Sequence, residues 1–280
     1  MTAITADQVK KLRELTGAGI MDCKKALEEA QGNFDTAIEI LRKRGHKMAA
    51  ARQERDANEG AVFAAVNGGE GHMILLACET DFVAKNDEFK TFGKKIAQAA
   101  LEQGITHAEQ LSSLQIDGMP LSDKLAELTA KIGEKMEISR WARLTGEYVT
   151  AYIHLGGRIG VLVALKGTAG LPAETLEEVG QNVAMQIAAL RPVSVDRDRV
   201  PAELLEKEKE IAREQARAEG KPEAILEKIA IGKLEKFFRE VVLLEQEYFK
   251  DNQKTVAQYL KSVSPTLSVA DFVRLQVGGK

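Results

Sequence analysis

One pattern in this chain occurs twice, and it constrains the fold more than any single motif. Val62 to Asn67, the pair Gly68-Gly69 and the apolar run Met73 to Ala77 describe a β-hairpin closed by a glycine turn. Tyr148 to His154, Gly156-Gly157 and Ile159 to Leu165 repeat it. An Ala-rich helical stretch follows each hairpin: Phe92-Gly93-Lys94-Lys95-Ile96-Ala97, then Val179-Gly180-Gln181-Asn182-Val183-Ala184. A constant offset between the copies predicts an α+β chain with two related subdomains, each a small antiparallel sheet with helices on one face. Between them, Leu121 to Lys131 has helical spacing and is ended by Ile132-Gly133.

The flanking segments differ in kind. Residues 1 to about 46 predict a three-helix unit. Thr5 and Gln8 form a capping box for a helix with Val9, Leu12 and Leu15 on one face. Thr16 to Gly19 breaks it, and a second helix runs from about Ile20 to Ala30. Asn33 caps a third, carrying Phe34, Ala37, Ile38 and Leu41 and closed by Gly45. So small a unit buries little surface, which suits a binding module. His46 to Gly60, rich in Ala and mixed charge, suits a tether. Residues 196–236 are highly charged, with stripes at Leu204, Leu205, Ile211, Ala212 and at Ile225, Leu226, Ile229, Leu234 around Gly220-Lys221-Pro222. That is an antiparallel helical hairpin of coiled-coil type, projecting from the second subdomain. Val241 to Leu244, Thr255 to Leu260 and Phe272 to Val277 are expected to return the chain to the sheet. The units are therefore 1–55, 56–140, 141–195 with 237–280, and the insertion 196–236.

Chemistry is hard to place in this sequence. The formal net charge of −3 argues against generic phosphate binding to nucleic acid. The start lacks the basic and apolar regions of a signal peptide, and no run approaches a membrane span, so a cytoplasmic protein is expected. His46, His72, His107 and His154 stand apart from one another and from metal-ligand partners, so neither a metal nor a cofactor is expected. Cys23, beside Lys24 and Lys25, is either a thiol of lowered pKa or a small buried side chain. No phosphate loop or nucleophile elbow occurs. The chain does not have the features of an enzyme.

The segment Thr80-Asp81-Phe82-Val83-Ala84-Lys85-Asn86 stands out at the end of the apolar strand. Asn86 is a good N-cap for a helix burying Phe89, Phe92 and Ile96. Phe82 falls between strand and helix, off both apolar patterns. It either reaches outward as an anchor for a partner pocket or folds back to staple the loop.

With these motifs in order, the chain resembles the bacterial elongation factor Ts family, nucleotide exchange factors for elongation factor Tu. The resemblance rests on Leu12 to Leu27, Thr80 to Asn86, Tyr152 to Val163, Ala184 to Pro192, Gly220-Lys221-Pro222 and Leu243-Leu244-Glu245-Gln246. It implies that the helical module is UBA-like and docks on a helix of elongation factor Tu through Arg13, Ile20 and Met21. It implies that Thr80, Asp81, Phe82 and Val83 dislodge magnesium in the partner, the Asp81-Phe82 pair acting as a wedge. Ile132, Gly133 and His154 align with further partner contacts. For the hairpin the family offers homodimerisation or a partner contact, against a solvated projection. Two departures are plain: Ile20 is Met in most members, and Gln246-Glu247-Tyr248 replaces a Gln-Pro-Phe turn. The sequence ends at Gly278-Gly279-Lys280, so the C-terminal helix of some members is expected to be missing. The alternative reading is a non-catalytic adaptor binding another protein through the module; an enzyme using His154 or Cys23 lacks a cluster to support it.

Overall fold

The computed structural model describes residues 4–279. Met1 to Ala3, which enter the signal-peptide expectation, and Lys280, the end of the sequence, lie outside the described residues. Five strands form one sheet: β1 (Glu59–Val66), β2 (Gly68–Cys78), β3 (Met136–His154), β4 (Ile159–Lys166) and β5 (Ser268–Gln276). Each pairs antiparallel with the next in chain order. Helices α1 (Ala6–Thr16), α2 (Ile20–Glu29) and α3 (Phe34–Ala51) precede the sheet, and α4 (Asp81–Lys85), α5 (Asp87–Glu102) and α6 (Leu121–Ile132) lie between β2 and β3. After β4 come α7 (Ala173–Leu190), α8 (Ala202–Ala218), α9 (Glu223–Val241) and α10 (Val256–Val263).

The two hairpins are present, yet they do not form two sheets. Strand β3 is 19 residues long and serves both copies. Met136 to Thr145 pair with β2, and Tyr148 to His154 pair with β4. The sheet then folds on itself, so one face of β1–β2 meets one face of β4–β5. Val62, Met73, Leu75 and Ala77 pack there against Leu162, Ala164 and Val277. The outer faces carry separate cores. Phe63, Ile74 and Leu76 lie with Phe89, Phe92 and Ile96 of α5, while Val161, Val163 and Leu165 lie with Val179, Val183 and Ile187 of α7. Burial on both faces is why Met73–Cys78 and Val161–Leu165 are continuously apolar instead of alternating.

The repeated helices share one device. A Cβ at Gly93 would fall inside the Phe63 ring, and one at Gly180 inside the Thr150 side chain. Each glycine lets its helix settle directly on the sheet.

The helical module follows the sequence reading with two corrections. The Thr5–Gln8 capping box and the Asn33 cap are in place, over a core of Val9, Leu12, Cys23, Leu27 and Ala37. Leu15, expected on the buried face, is 63% exposed. Each three-residue step slips about 60° around a helix of 3.6 residues per turn, so by Leu15 the row has left the core. Gly45 does not close α3, which runs on to Ala51. It is buried against α6, where a Cβ would stand 3.2 Å from the Ala126 carbonyl. The expected tether is consequently docked: His46 Nε2 lies 3.2 Å from Asp123, and Lys135 Nζ donates to the Gln53 and Arg55 carbonyls at 2.9 and 3.1 Å.

Helices α8 and α9 pair antiparallel, burying Ala212 and Ala216 with Leu226, Ala230 and Leu234. Arg217 bonds Glu223 and Arg213 bonds Glu227, both at 2.8 Å, in the descending register of a hairpin. At its base Arg197 grips Glu235 and Glu245 and stacks 4.4 Å over the Phe238 ring. Of the segments expected to rejoin the sheet only the last does, as β5. Val242 makes a single bridge to Ser194, and Thr255 with Gln258 is a capping box that starts α10.

Helix propensity alone says Gly93→Ala should stabilise α5 by up to ~1 kcal/mol. The Phe63 ring reverses the sign. The expected outcome in urea unfolding is a loss of about 1–3 kcal/mol.

Candidate functional site

Strand β2 ends at Cys78, and the chain makes one helical turn before α5 begins. Thr80 caps that turn: its hydroxyl accepts the Val83 amide at 3.4 Å. Helical spacing then turns successive side chains about 100° apart. Val83 is buried in the core under α5, whereas Phe82 is 81% exposed. The staple alternative for Phe82 is thereby excluded. Val83, grouped with it by the resemblance, faces inward and anchors the turn. Asp81 sits beside Phe82 and takes a 2.6 Å hydrogen bond from Lys85 one turn on, which holds its carboxyl below the usual range. The Asn86 cap is as expected, its side chain accepting the Glu88 amide.

A reciprocal clasp fixes this turn to the segment after α6. The Thr80 amide and hydroxyl donate to the two Glu134 carboxylate oxygens at 3.0 and 2.7 Å. In return, Glu79 accepts the Lys135 amide at 2.6 Å, together with Arg52 and Arg55 at 2.9 and 3.0 Å. Ile132 and Gly133 are therefore brought next to the Phe82 turn. Ile132 is half-buried against the α5 core, and Gly133 ends α6 in the left-handed region at φ 82°. Sequence reasoning missed Glu79 and Glu134, and no local signal marks them, because the clasp joins residues more than 50 positions apart and the arginines on Glu79 are themselves over 20 positions away.

The module adjoins the same surface. Lys131 Nζ bonds Glu88 at 2.6 Å, and its side chain runs 3.2–3.3 Å from where a Cβ would stand on Gly17, in the α1–α2 turn. Around that turn Arg13, Ile20 and Met21 are all exposed, with Leu15 completing an apolar patch. Opposite, Arg158 bonds Glu59 at 2.9 Å, and Glu59 pairs with Cys78. The β3–β4 turn thus lies at the same end of the folded sheet as Phe82. His154 begins that turn, half-buried, with Nδ1 2.7 Å from the Tyr152 hydroxyl. Leu155, unremarked in the sequence, is 66% exposed beside it. Large apolar side chains displayed along one edge mark an interaction surface.

Both thiols are buried. Desolvation first of all raises the Cys23 pKa, so the lowered-pKa alternative fails, and it pushes Cys78 up to about 12. Among the described residues no group of three or more His, Cys, Asp or Glu side chains comes together as a metal site requires. Among the described residues, no helix is long and apolar enough to cross a membrane.

Removing the clasp should loosen the turn before the fold. Glu134→Ala is expected to cost about 1–3 kcal/mol in urea unfolding and to speed amide exchange first at Thr80 and Val83. Glu79 has a pH signature. The Lys135 amide, then Arg55 and Arg52, hold its carboxyl below the usual range. Its contribution is present above the unfolded value of about 4.3 and is lost as pH falls through the lower folded one. Glu79→Gln should therefore flatten the acid limb of stability below about pH 4.3, as thermal melts across pH will record.

Sequence comparison agrees with the motif reading. The family model described as Elongation factor TS matches residues 79–279. Elongation factor Ts of Amoebophilus asiaticus is 51% identical over 278 residues, spanning 99% of this chain and 99% of that protein. The Cytophaga hutchinsonii protein of the same name is 48% identical over 280 residues, spanning 99% of this chain and all of its own length. The chain belongs to the elongation factor Ts family of translation factors.

Proposed function

We propose that the chain is a guanine nucleotide exchange factor for elongation factor Tu, binding the GDP form, dislodging its magnesium and releasing GDP so that GTP can bind. The observation that carries this reading is Phe82, a large apolar side chain 81% exposed on a turn clamped from two sides. A rigid mount is what a wedge needs, since a mobile one would spend its binding energy on ordering itself.

The energetics divide the work. Lowering nucleotide affinity about a thousandfold takes about 4 kcal/mol of coupling, and linkage makes it reciprocal. Burying one Phe side chain supplies roughly 1.5–3 kcal/mol. Phe82 must therefore act on something the nucleotide depends on, and the magnesium bridging its phosphates is the natural target. Asp81 would redirect nearby polar groups, with Thr80 and Val83 holding the turn. Arg13, Ile20 and Met21 of the UBA-like module would dock on a partner helix, joined by Leu15. Ile132, Gly133 and His154 would add contacts along the same edge. On this reading residues 1–55 dock, 56–140 carry the wedge, and 141–195 with 237–280 extend the grip. The hairpin 196–236, of coiled-coil type, would serve self-association or a further partner contact, or stand as a solvated projection. The work is done in the cytoplasm, without covalent chemistry and without a cofactor of its own.

Release of a fluorescent GDP analogue from elongation factor Tu tests the proposal. Phe82→Ala should slow factor-stimulated release by about ten- to a hundredfold, the rate equivalent of one lost Phe burial. Circular dichroism and the melting temperature should stay unchanged, because an exposed side chain contributes little to folding. Unaltered release by the folded variant would sink the wedge and leave an adaptor that docks through its module.

A further inference from the structure

We propose that the partner-binding edge continues past His154 to the end of α7, where Arg191 and Arg274 together receive a carboxylate side chain of the bound protein partner. This rests on the exchange-factor reading above and names a contact of that same complex.

Register brings the two arginines to this end. Tyr152, which bonds His154, pairs with Val161, and Val161 pairs with Arg274 on the next strand. One Arg274 Nη2 then donates to the Ala188 carbonyl at 3.3 Å and to Gln276 Oε1 at 2.8 Å. The last turn of α7, with Leu190 and Arg191, therefore closes over the strand ends behind the β3–β4 turn.

Three observations point to an anionic group on the partner. First, neither guanidinium makes an ion pair among the described residues, whereas Arg52, Arg158 and Arg197 each grip a carboxylate. Arg274 is half-buried and its Nε is buried without a partner. Burial, and then the neighbouring Arg191 charge, lower its pKa, the direction an added carboxylate would reverse. Second, Arg191 ends α7 at φ 50° and ψ 53°, in the left-handed region where glycine is the favoured cap. Leu155 holds φ 50° in the nearby turn. At both positions a strained backbone displays a long side chain to solvent, and nothing in the fold requires that side chain. Third, Leu190 and Val193 are exposed on either side of Arg191. Apolar neighbours that exclude water around a guanidinium favour a paired carboxylate on a protein surface over a solvated phosphate backbone.

The test is titration of nucleotide-free elongation factor Tu by calorimetry at low and high salt, alongside GDP release. Arg191→Gly and Arg274→Gln are expected to weaken binding about tenfold or more and to reduce its salt dependence. Arg191→Gly is the decisive variant. It suits the left-handed cap better than arginine, so its melting temperature should hold or rise while its affinity falls. A folded Arg191→Gly protein with wild-type affinity and salt slope would overturn the inference and leave the wedge untouched. Failure of the wild-type chain to bind or to release GDP would overturn both readings together.

Discussion

The close approach of the two half-sheets is the contact on which everything else rests. Gly160 makes it possible: a Cβ there would overlap Val62 and stand 2.7 Å from Met73 Sδ. Gly157 does the same at the turn, 2.8 Å from the Ala61 Cβ. With side chains removed at these points, the inner faces meet and the apolar surface of β1–β2 is buried against β4–β5. Burial of this kind is the main driving force available, since the chain has few aromatics and builds its cores from Ala, Val, Leu and Ile.

That fold has a directional consequence. Because the sheet folds back on itself along β3, the end of β3 returns to the end of β2, as the Arg158–Glu59 bond and the approach of Gly157 to Ala61 record. The His154 turn shares an end with the Phe82 turn for this reason, and the clasp to Glu134 and Lys135 adds the Ile132-Gly133 corner, although all three lie far apart in sequence. The module is added to the edge by α3 packing on α6 at Gly45 and by Lys131 beside Gly17. The result is one long apolar-studded edge, with its rigidity set by the Glu79–Lys135 and Thr80–Glu134 bonds. The mounting matters as much as the side chain mounted.

Local features were readable in advance because they depend on neighbours a few residues away. The Thr5–Gln8 box, the Asn33 and Asn86 caps and the glycine-turned hairpins all belong to this class. The errors are of two kinds, one long-range and two local. Gly45 looked like a helix stop because its meaning lies on α6. The apolar content of Thr255 to Leu260 suits a strand, but the Thr255–Gln258 box starts a helix there. Leu15 drifted off the buried face by geometry that a short stripe conceals.

By itself the sequence determined most of the elements, the repeated hairpins and the family, and it singled out Phe82 as belonging to neither apolar pattern. These follow from periodicity, capping chemistry and motif order, all of which are properties of consecutive residues. Only the tertiary structure decided that the two copies share one folded sheet, that Phe82 points outward while Val83 points in, and that Glu134 holds the turn. Those outcomes depend on groups more than 50 residues apart meeting within hydrogen-bond or van der Waals distance. No local pattern encodes such a meeting, because it is set by how whole cores close on one another.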